Sequence, residues 1–362
     1  MEKKKPMPTP RSIFEYGNAR ILFFSAQEII SDLRRLFPMH WKEILALSVT
    51  KTIRSVPLKY LESAWSKLYL SREIDASLSP NIISEKLRSI ESDWFSQREF
   101  YKTLISKKSV IFIDLSTIFS YSENIRLAEK GYNKDHMGLK QINFALLFFE
   151  ETLMLKAMPG SIRDVKYFLS VLEEFDLRNC IIIIDRGFFS MNNIDEMNKK
   201  EIRFIQPLRR NSKIIDYLIT MKESFVYRDR GIRYGMKRIG KYYLYLYEDV
   251  KIKGEEYSNL IENRAKGRRV KIDESRLGKI AILSSMLMAG DKIYDLYKQR
   301  EEMEQAFDIM KNELENDKTY LQDDDALRGY FFITFASLYL YFRIMNIIKK
   351  AGLTKDLSVN KF

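Results

Sequence analysis

The sequence predicts a mixed α/β protein: a sheet flanked by helices, preceded by a helical region and interrupted by a β-rich insertion. Three observations carry this reading. From Phe14 to about Ile105, apolar residues recur three and four apart, the spacing of helices. Short β-branched runs then take over. The clearest is Ile181–Ile184, which reads as a strand buried on both faces, because parallel strands lose the polar alternation of half-exposed ones. From Phe225 to about Met288 the pattern becomes alternation broken by turns, with tyrosines at 242, 243, 245 and 247.

In chain order, the helical periods are ARILFFSAQEIISDLRRLF, HWKEILALSVTKTIR, PLKYLESAWSKLYL and SPNIISEKLRSI, with Pro57 and the pair Ser79 and Pro80 at helix starts. Trp41, Trp65 and Trp94 all fall here. SVIFIDLSTIF (Ser109–Phe119), INFALLFF and LMLKAM then read as strands, closed by a turn at Pro159 and Gly160. SIRDVKYFLSVLEEF is an amphipathic helix with Ser161 as its cap and Asp164 at its third position. The isoleucine strand follows, then a short helix over Asn192–Lys200 and the strand RFIQPL. Helical periodicity resumes at Lys292, passes a loop near Asp323–Asp325, and ends in GYFFITFASLYLYFRIM. That run is apolar from Gly329 until Arg343 interrupts it, short of the ~20 residues a bilayer span requires, so a buried helix is expected rather than a membrane segment. The expected division is a helical region 1–105, a first part of the core 106–220, a β-rich insertion 221–288 and a second part of the core 289–350.

The chain carries 61 Lys and Arg against 49 Asp and Glu, a net charge of +12, which points to a polyanionic partner, most commonly nucleic acid. Cys180 is the only cysteine, so no intrachain disulfide forms and a reducing compartment fits. The opening MEKKKPMPTPRS is basic but lacks the apolar run of a signal peptide, and a cytoplasmic location is expected. With only His40 and His136 present, histidine triads and histidine-rich metal sites are disfavoured. Carboxylates must carry any chemistry.

Two carboxylates stand out. Asp185 closes the isoleucine strand and Asp114 closes SVIFID, so each acid sits at the exit of a buried strand. Taken singly, either one is explained by capping the turn beyond it. Taken together they are a candidate metal pair. A third acid lies in DLYKQREEMEQAFDIMKNEL. Helical spacing sets Tyr297, Arg300, Glu304 and Lys311 within a wedge of about 60°, beside the seam of Leu296, Met303, Phe307, Met310 and Leu314. Glu304 therefore falls at the border of the core, while Glu301 and Glu302 point toward solvent. A surface ion-pair stripe on an ordinary amphipathic helix is the alternative. Two aspartates and a glutamate are hard oxygen ligands of the kind that bind Mg2+, and without a cation they repel one another. Two further stretches draw attention. LRRNSK (Leu208–Lys213), with Arg209 and Arg210, is either a phosphate contact or a solvated face. GMKRIGK (Gly235–Lys241) fits most of a P-loop but runs into Tyr242 and a strand, and reads as a hairpin turn.

Asp114 and Ser116, GYNKD at Gly131–Asp135 with Gln141 after it, PGSIRD at Pro159–Asp164, IDRGFFS at Ile184–Ser190, and the spacing Y-x2-R-x3-E-x6-K at Tyr297, Arg300, Glu304 and Lys311 together resemble a DDE transposase. Within that family the chain is similar to the bacterial and archaeal insertion-sequence enzymes whose ribonuclease-H-like core carries a β-stranded insertion between the second aspartate and the glutamate. The resemblance covers about Ser109 to Lys350. It implies that Asp114, Asp185 and Glu304 hold two Mg2+ or Mn2+ ions, which activate water at a scissile phosphate and stabilise the departing 3′ oxygen. The freed 3′ hydroxyl then attacks target DNA at the same metals. It also implies that Tyr297, Arg300 and Lys311 lie along the flanking phosphates, positioning DNA rather than reading its sequence. The partners implied are element ends and target DNA, bound by a homodimer in the nucleoid. Some relatives stack a flipped base on an aromatic of the insertion, a role open here to Tyr242 or Tyr243, for which half-buried strand surface is the other account. Two rival readings use the same residues: a metal-dependent nuclease without strand transfer, and a non-catalytic or truncated DNA-binding remnant.

Overall fold

The computed structural model describes residues 13–131, 138–162, 164–268, 273–314, 318–319, 321–354, 357 and 359. Met1–Ser12, the GYNKD motif beyond Gly131, His136 and Arg163 lie outside the described residues. Among the described residues six α-helices come first: α1 (Gly17–Ser25), α2 (Gln27–Leu36), α3 (Trp41–Ile53), α4 (Leu61–Trp65), α5 (Pro80–Ser92) and α6 (Trp94–Ile105). Ser79 and Pro80 stand at the N-cap and first position of α5, where the ring's fixed φ suits the helix and its missing N–H costs nothing.

Three antiparallel strands come next, β1 (Val110–Ser120), β2 (Lys140–Phe149) and β3 (Glu151–Pro159). Then come α7 (Asp164–Glu174), β4 (Ile181–Ile184), α8 (Met191–Lys199) and β5 (Arg203–Pro207), with β4 parallel to both β1 and β5. The order β3-β2-β1-β4-β5 is that of a ribonuclease-H-like sheet. Ser161 does not act as the expected cap: α7 begins at Asp164, and the Ser161 hydroxyl and N–H both donate to the carboxylate of Glu129. Gln141 and Asn143 are buried on β2 and donate to the carbonyl of Gly160, closing the same turn from below.

Between β5 and the next helices lie β6 (Glu223–Tyr227), β7 (Arg230–Ile239), β8 (Tyr242–Asp249), α9 (Val250–Ala265) and β9 (Lys279–Ser284). They extend the same sheet, because β9 pairs with β5 and the order continues β9-β8-β7-β6. GMKRIGK is a hairpin turn, as expected: Ile239 pairs with Tyr242, and Gly240 takes the positive φ of +59° that the two-residue turn requires. The 16-residue α9 departs from the expected all-β character. Asp249 caps it by accepting from the N–H of Ile252, yet no residue of this helix is buried, so its sequence carries no strong apolar stripe.

The chain ends in α10 (Gly290–Lys298), α11 (Glu301–Asp308), a π-helical turn (Ile309–Glu313), the two-residue β10 (Lys318–Thr319) beside β1, and α12 (Asp324–Lys350). Asp323, in the expected loop, caps α12, while Asp324 and Asp325 in its first turn and Lys349 and Lys350 in its last complement the helix dipole. By length and composition α12 would cross a membrane, but most of its apolar window is buried inside the protein. One side packs on β3 and on Phe144 and Phe148 of β2; the other meets α3 and α5, with Phe332 and Phe335 against Phe100 and Tyr101 of α6. Gly329 permits that approach: a Cβ there would stand 2.0 Å from the carbonyl oxygen of Leu87.

Candidate active site

Strand register brings the two aspartates together. Ile113 of β1 pairs with Ile184 of β4, so Asp114 and Asp185 come side by side at the next step of parallel strands. Asp114 also stands opposite Leu146 of β2, and directly opposed residues share a face. Two residues along from Leu146, Phe144 and Phe148 meet Phe307 of α11 and Phe342 of α12. The pleat therefore turns Asp114 toward the helix that carries Glu304. Asp185 caps the turn after its strand, accepting from the N–H of Gly187 at 3.3 Å, while its own backbone carbonyl accepts from Gln206 Nε2 at 2.9 Å. Asp114 Oδ1 accepts from the N–H of Leu115 at 2.8 Å.

The three acids converge on one guanidinium. Arg300 Nη2 lies 3.3 Å from Asp114 Oδ2 and 3.2 Å from Asp185 Oδ1, and Nη1 lies 3.4 Å from Glu304 Oε1. The side chains of Asp114, Arg300 and Asp185 are 15%, 18% and 26% exposed, but Glu304 is 65% exposed, more open than the core-border position expected of it. The difference comes from a break in the helix. The N–H groups of Arg300, Glu302 and Met303 bond three residues back, to Tyr297, Gln299 and Arg300, and this tighter winding rotates the later residues away from an ideal wheel. Five residues beyond Glu304 the π-helical turn unwinds it again. Met303, Met310 and Leu314 are buried in the seam, as the spacing predicts. Glu301 pairs with Arg228 and Lys298, and Glu302 with Lys349, away from the cluster.

Burial pushes the Asp114 carboxyl up to about 6, with Asp185 adding to the rise and Arg300 opposing it. Burial disfavours the charge on Arg300 as well, but Asp185, Asp114 and Glu304 outweigh that and raise its pKa. Tyr297 is half-buried beside them, its hydroxyl raised by burial and within the fields of Arg300, Asp185 and Glu304. Lys311 sits in the π-helical turn, further along the same helical segment.

Arg209 and Arg210 come after β5 at the carboxyl edge of the sheet, both exposed, and Arg210 is held by Glu256 of α9 at 2.7 Å rather than joining the cluster. Tyr242 accepts from Asn198 Nδ2 and packs on Phe204, while Tyr245 and Tyr247 are buried with their hydroxyls on the backbone of Met288 and Gly290. Sequence reasoning missed two features. Gln206, fully buried, steadies the Asp185 carbonyl; its only signal was a lone amide in an apolar strand. The other is that Arg300 engages all three acids, of which only the Glu304 contact is announced by i,i+4 spacing.

Comparison with protein families matches residues 105–340 to the transposase DDE domain. The chain belongs to that family. A search of curated proteins gave no match. The matched transposase segment contains Asp114, Asp185, Arg300 and Glu304, and with them every strand of the sheet. As the side chains stand, no group of three carboxylate, histidine or cysteine residues among the described residues is close enough to hold an ion. The donor set nonetheless fits a hard divalent cation of the kind DDE transposases generally use: three carboxylates, gathered around a positive charge, with one buried acid driven toward protonation.

Proposed function

We propose that the protein is an active transposase that cuts the ends of its element by metal-dependent phosphodiester hydrolysis and joins the resulting 3′ hydroxyl to target DNA by transesterification. The observation that carries this reading is the meeting of Asp114, Asp185 and Glu304 around Arg300 in a chain of the transposase DDE family. Asp114, Asp185 and Glu304 are the residues that would hold two Mg2+ or Mn2+ ions. Bound there, such ions supply Lewis-acid stabilisation of the attacking and leaving oxygens at phosphorus. Asp114 and Asp185 contribute fixed oxygens, because each accepts from a nearby backbone N–H, Asp114 from Leu115 within β1 and Asp185 from Gly187 just after β4. Glu304, on a helix and exposed, is the member free to adjust.

Tyr297, Arg300 and Lys311 lie along the helical segment that carries Glu304 and are assigned to the phosphates flanking the cut; Arg209 and Arg210, exposed just beyond β5, are assigned to DNA as well. The helical region 1–105 is assigned to DNA contact, 221–288 to the insertion, and 106–220 with 289–350 to the catalytic core. The acting form is a homodimer on paired element ends in the nucleoid. The net charge of +12 fits a DNA partner.

The test uses DNA carrying the native element ends. The full chain with Mg2+ is expected to nick at the element boundary and to join a precut 3′ end to plasmid, and Asp185→Asn is expected to lower both by about 10³-fold while leaving end binding intact. Cleavage without joining would make the protein a nuclease of the same fold; binding without cleavage under Mg2+ or Mn2+ would make it a remnant.

A further inference from the structure

Arg300 holds its carboxylates in an unusual manner. A guanidinium bound for good grips a carboxylate with two parallel hydrogen bonds of about 2.7–2.9 Å. Arg300 instead spreads across three acids at 3.2 to 3.4 Å, with Nη2 shared between Asp114 and Asp185 and only the Asp114 contact having hydrogen-bond geometry. Its Nε is buried and has no hydrogen-bond partner among the described residues. The group is thus held mainly by charge, with one long directional bond, to Asp114. It is also 18% exposed, on a long side chain, at the junction where α10 ends and α11 begins.

We propose that Arg300 is an exchangeable counter-cation: it neutralises the three carboxylates in the metal-free protein and is expelled from them when a divalent metal binds the same oxygens. This rests on the reading of Asp114, Asp185 and Glu304 as metal ligands. The physical argument is one of exclusion. Asp114 Oδ2 and Asp185 Oδ1 both face one nitrogen of Arg300, so an ion bound between them occupies the ground on which that nitrogen stands. A divalent cation brings twice the charge in a smaller volume and wins the oxygens, but it must first displace the guanidinium. The metal affinity of the protein is therefore lower than the carboxylates alone would give. Expulsion also leaves a positive group at the lip of the site, turned outward only once metal is loaded, where a DNA phosphate is the anion available to it. Arg300 passes from carboxylate to phosphate, and metal loading and DNA engagement are thereby linked.

The experiment measures Mn2+ binding to the full-length, metal-stripped protein at neutral pH by titration calorimetry, with unfolding followed in the presence and absence of Mn2+. Arg300→Gln is expected to bind Mn2+ about tenfold more tightly than the parent, roughly 1.4 kcal/mol, and to show the larger upward shift of Tm on adding metal. Arg300→Lys, which keeps a charge on a more compact head, is expected to fall between them, and it carries the test should Arg300→Gln not fold without metal. Equal or weaker Mn2+ binding by folded Arg300→Gln, or by Arg300→Lys if the glutamine variant is unfolded, overturns the proposal and leaves the metal-ligand reading standing. Asp185→Asn serves as the control. If it binds Mn2+ as the parent does, or the parent binds none, the ligand reading fails and the proposal falls with it.

Discussion

At Asp114 burial and function pull in opposite directions. Its carboxyl is raised to about 6 against an ordinary 3.8, because burial and the neighbouring Asp185 disfavour the charge more than Arg300 favours it. The folded metal-free protein therefore holds a proton that the unfolded chain has released, and the linkage has a definite sign. The destabilisation is absent below about pH 4, grows as pH rises toward 6, and is complete above it. Asp114→Asn removes the titration while keeping the shape. With metal chelated, the variant is expected to be more stable than the parent at pH 7.5, by on the order of 2 kcal/mol, and to match it at pH 4. Denaturant unfolding at the two pH values checks this. A variant less stable than its parent at pH 7.5 would mean that the contact with Arg300 outweighs the cost of burying the charge.

The helix that carries Glu304 ends where the N-terminal region takes hold of it. Lys51 of α3 is 3% exposed, and its Nζ donates to the carbonyl of Leu314 at 2.7 Å and to the Tyr330 hydroxyl at 2.6 Å. An ammonium on the last carbonyls of a helix satisfies acceptors the helix itself cannot. Lys51→Met keeps the apolar stem and removes the donor, and is expected to cost about 1–3 kcal/mol. Hydrogen exchange should locate the loss: protection should fall across Ile309–Leu314 while β1 stays protected. Equal loss in both would make the effect global. Of these elements the β-branched runs that lead to Asp114 and Asp185 were legible in the sequence, because such runs are a local signal; Asp185 does close its strand, but β1 continues past Asp114 to Ser120, so Asp114 lies within its strand and not at its exit. The seam of Met303, Met310 and Leu314 was legible from helical spacing, which is equally local. Other features were not. Helix α9 buries nothing, so it imposes no periodicity on its residues. The tightening at Gln299 and Arg300 and the π-helical turn lie beyond a wheel drawn at 100° per residue, which is why Glu304 is more exposed than that wheel implies. Ser161 fits a capping pattern, yet a carboxylate 32 residues upstream claims its hydroxyl.

Across the whole molecule, the family match begins at residue 105 but the packing does not respect that boundary. Helix α12 belongs to both sides. Its Phe342 packs on the sheet at Phe148, while Phe332 and Phe335 pack on Phe100 and Tyr101 of the N-terminal helices. Arg88 of α5 reaches Asp323 at the cap of α12, and Lys51 reaches the Glu304 segment. A helix apolar enough to cross a membrane is tolerated because protein covers most of it. Remove α1–α6 and one flank of that helix faces water, a contiguous apolar surface of the kind that drives association. The full chain is accordingly expected to unfold in one calorimetric transition, with the helical region and the sheet melting together. A chain begun at residue 105 is expected to aggregate, or to bind apolar dyes and unfold without a sharp transition. Should the shortened chain stay monomeric and melt sharply near the parent's Tm, the N-terminal helices would be an independent unit, and the tie from Lys51 to the Glu304 helix would be dispensable to the fold.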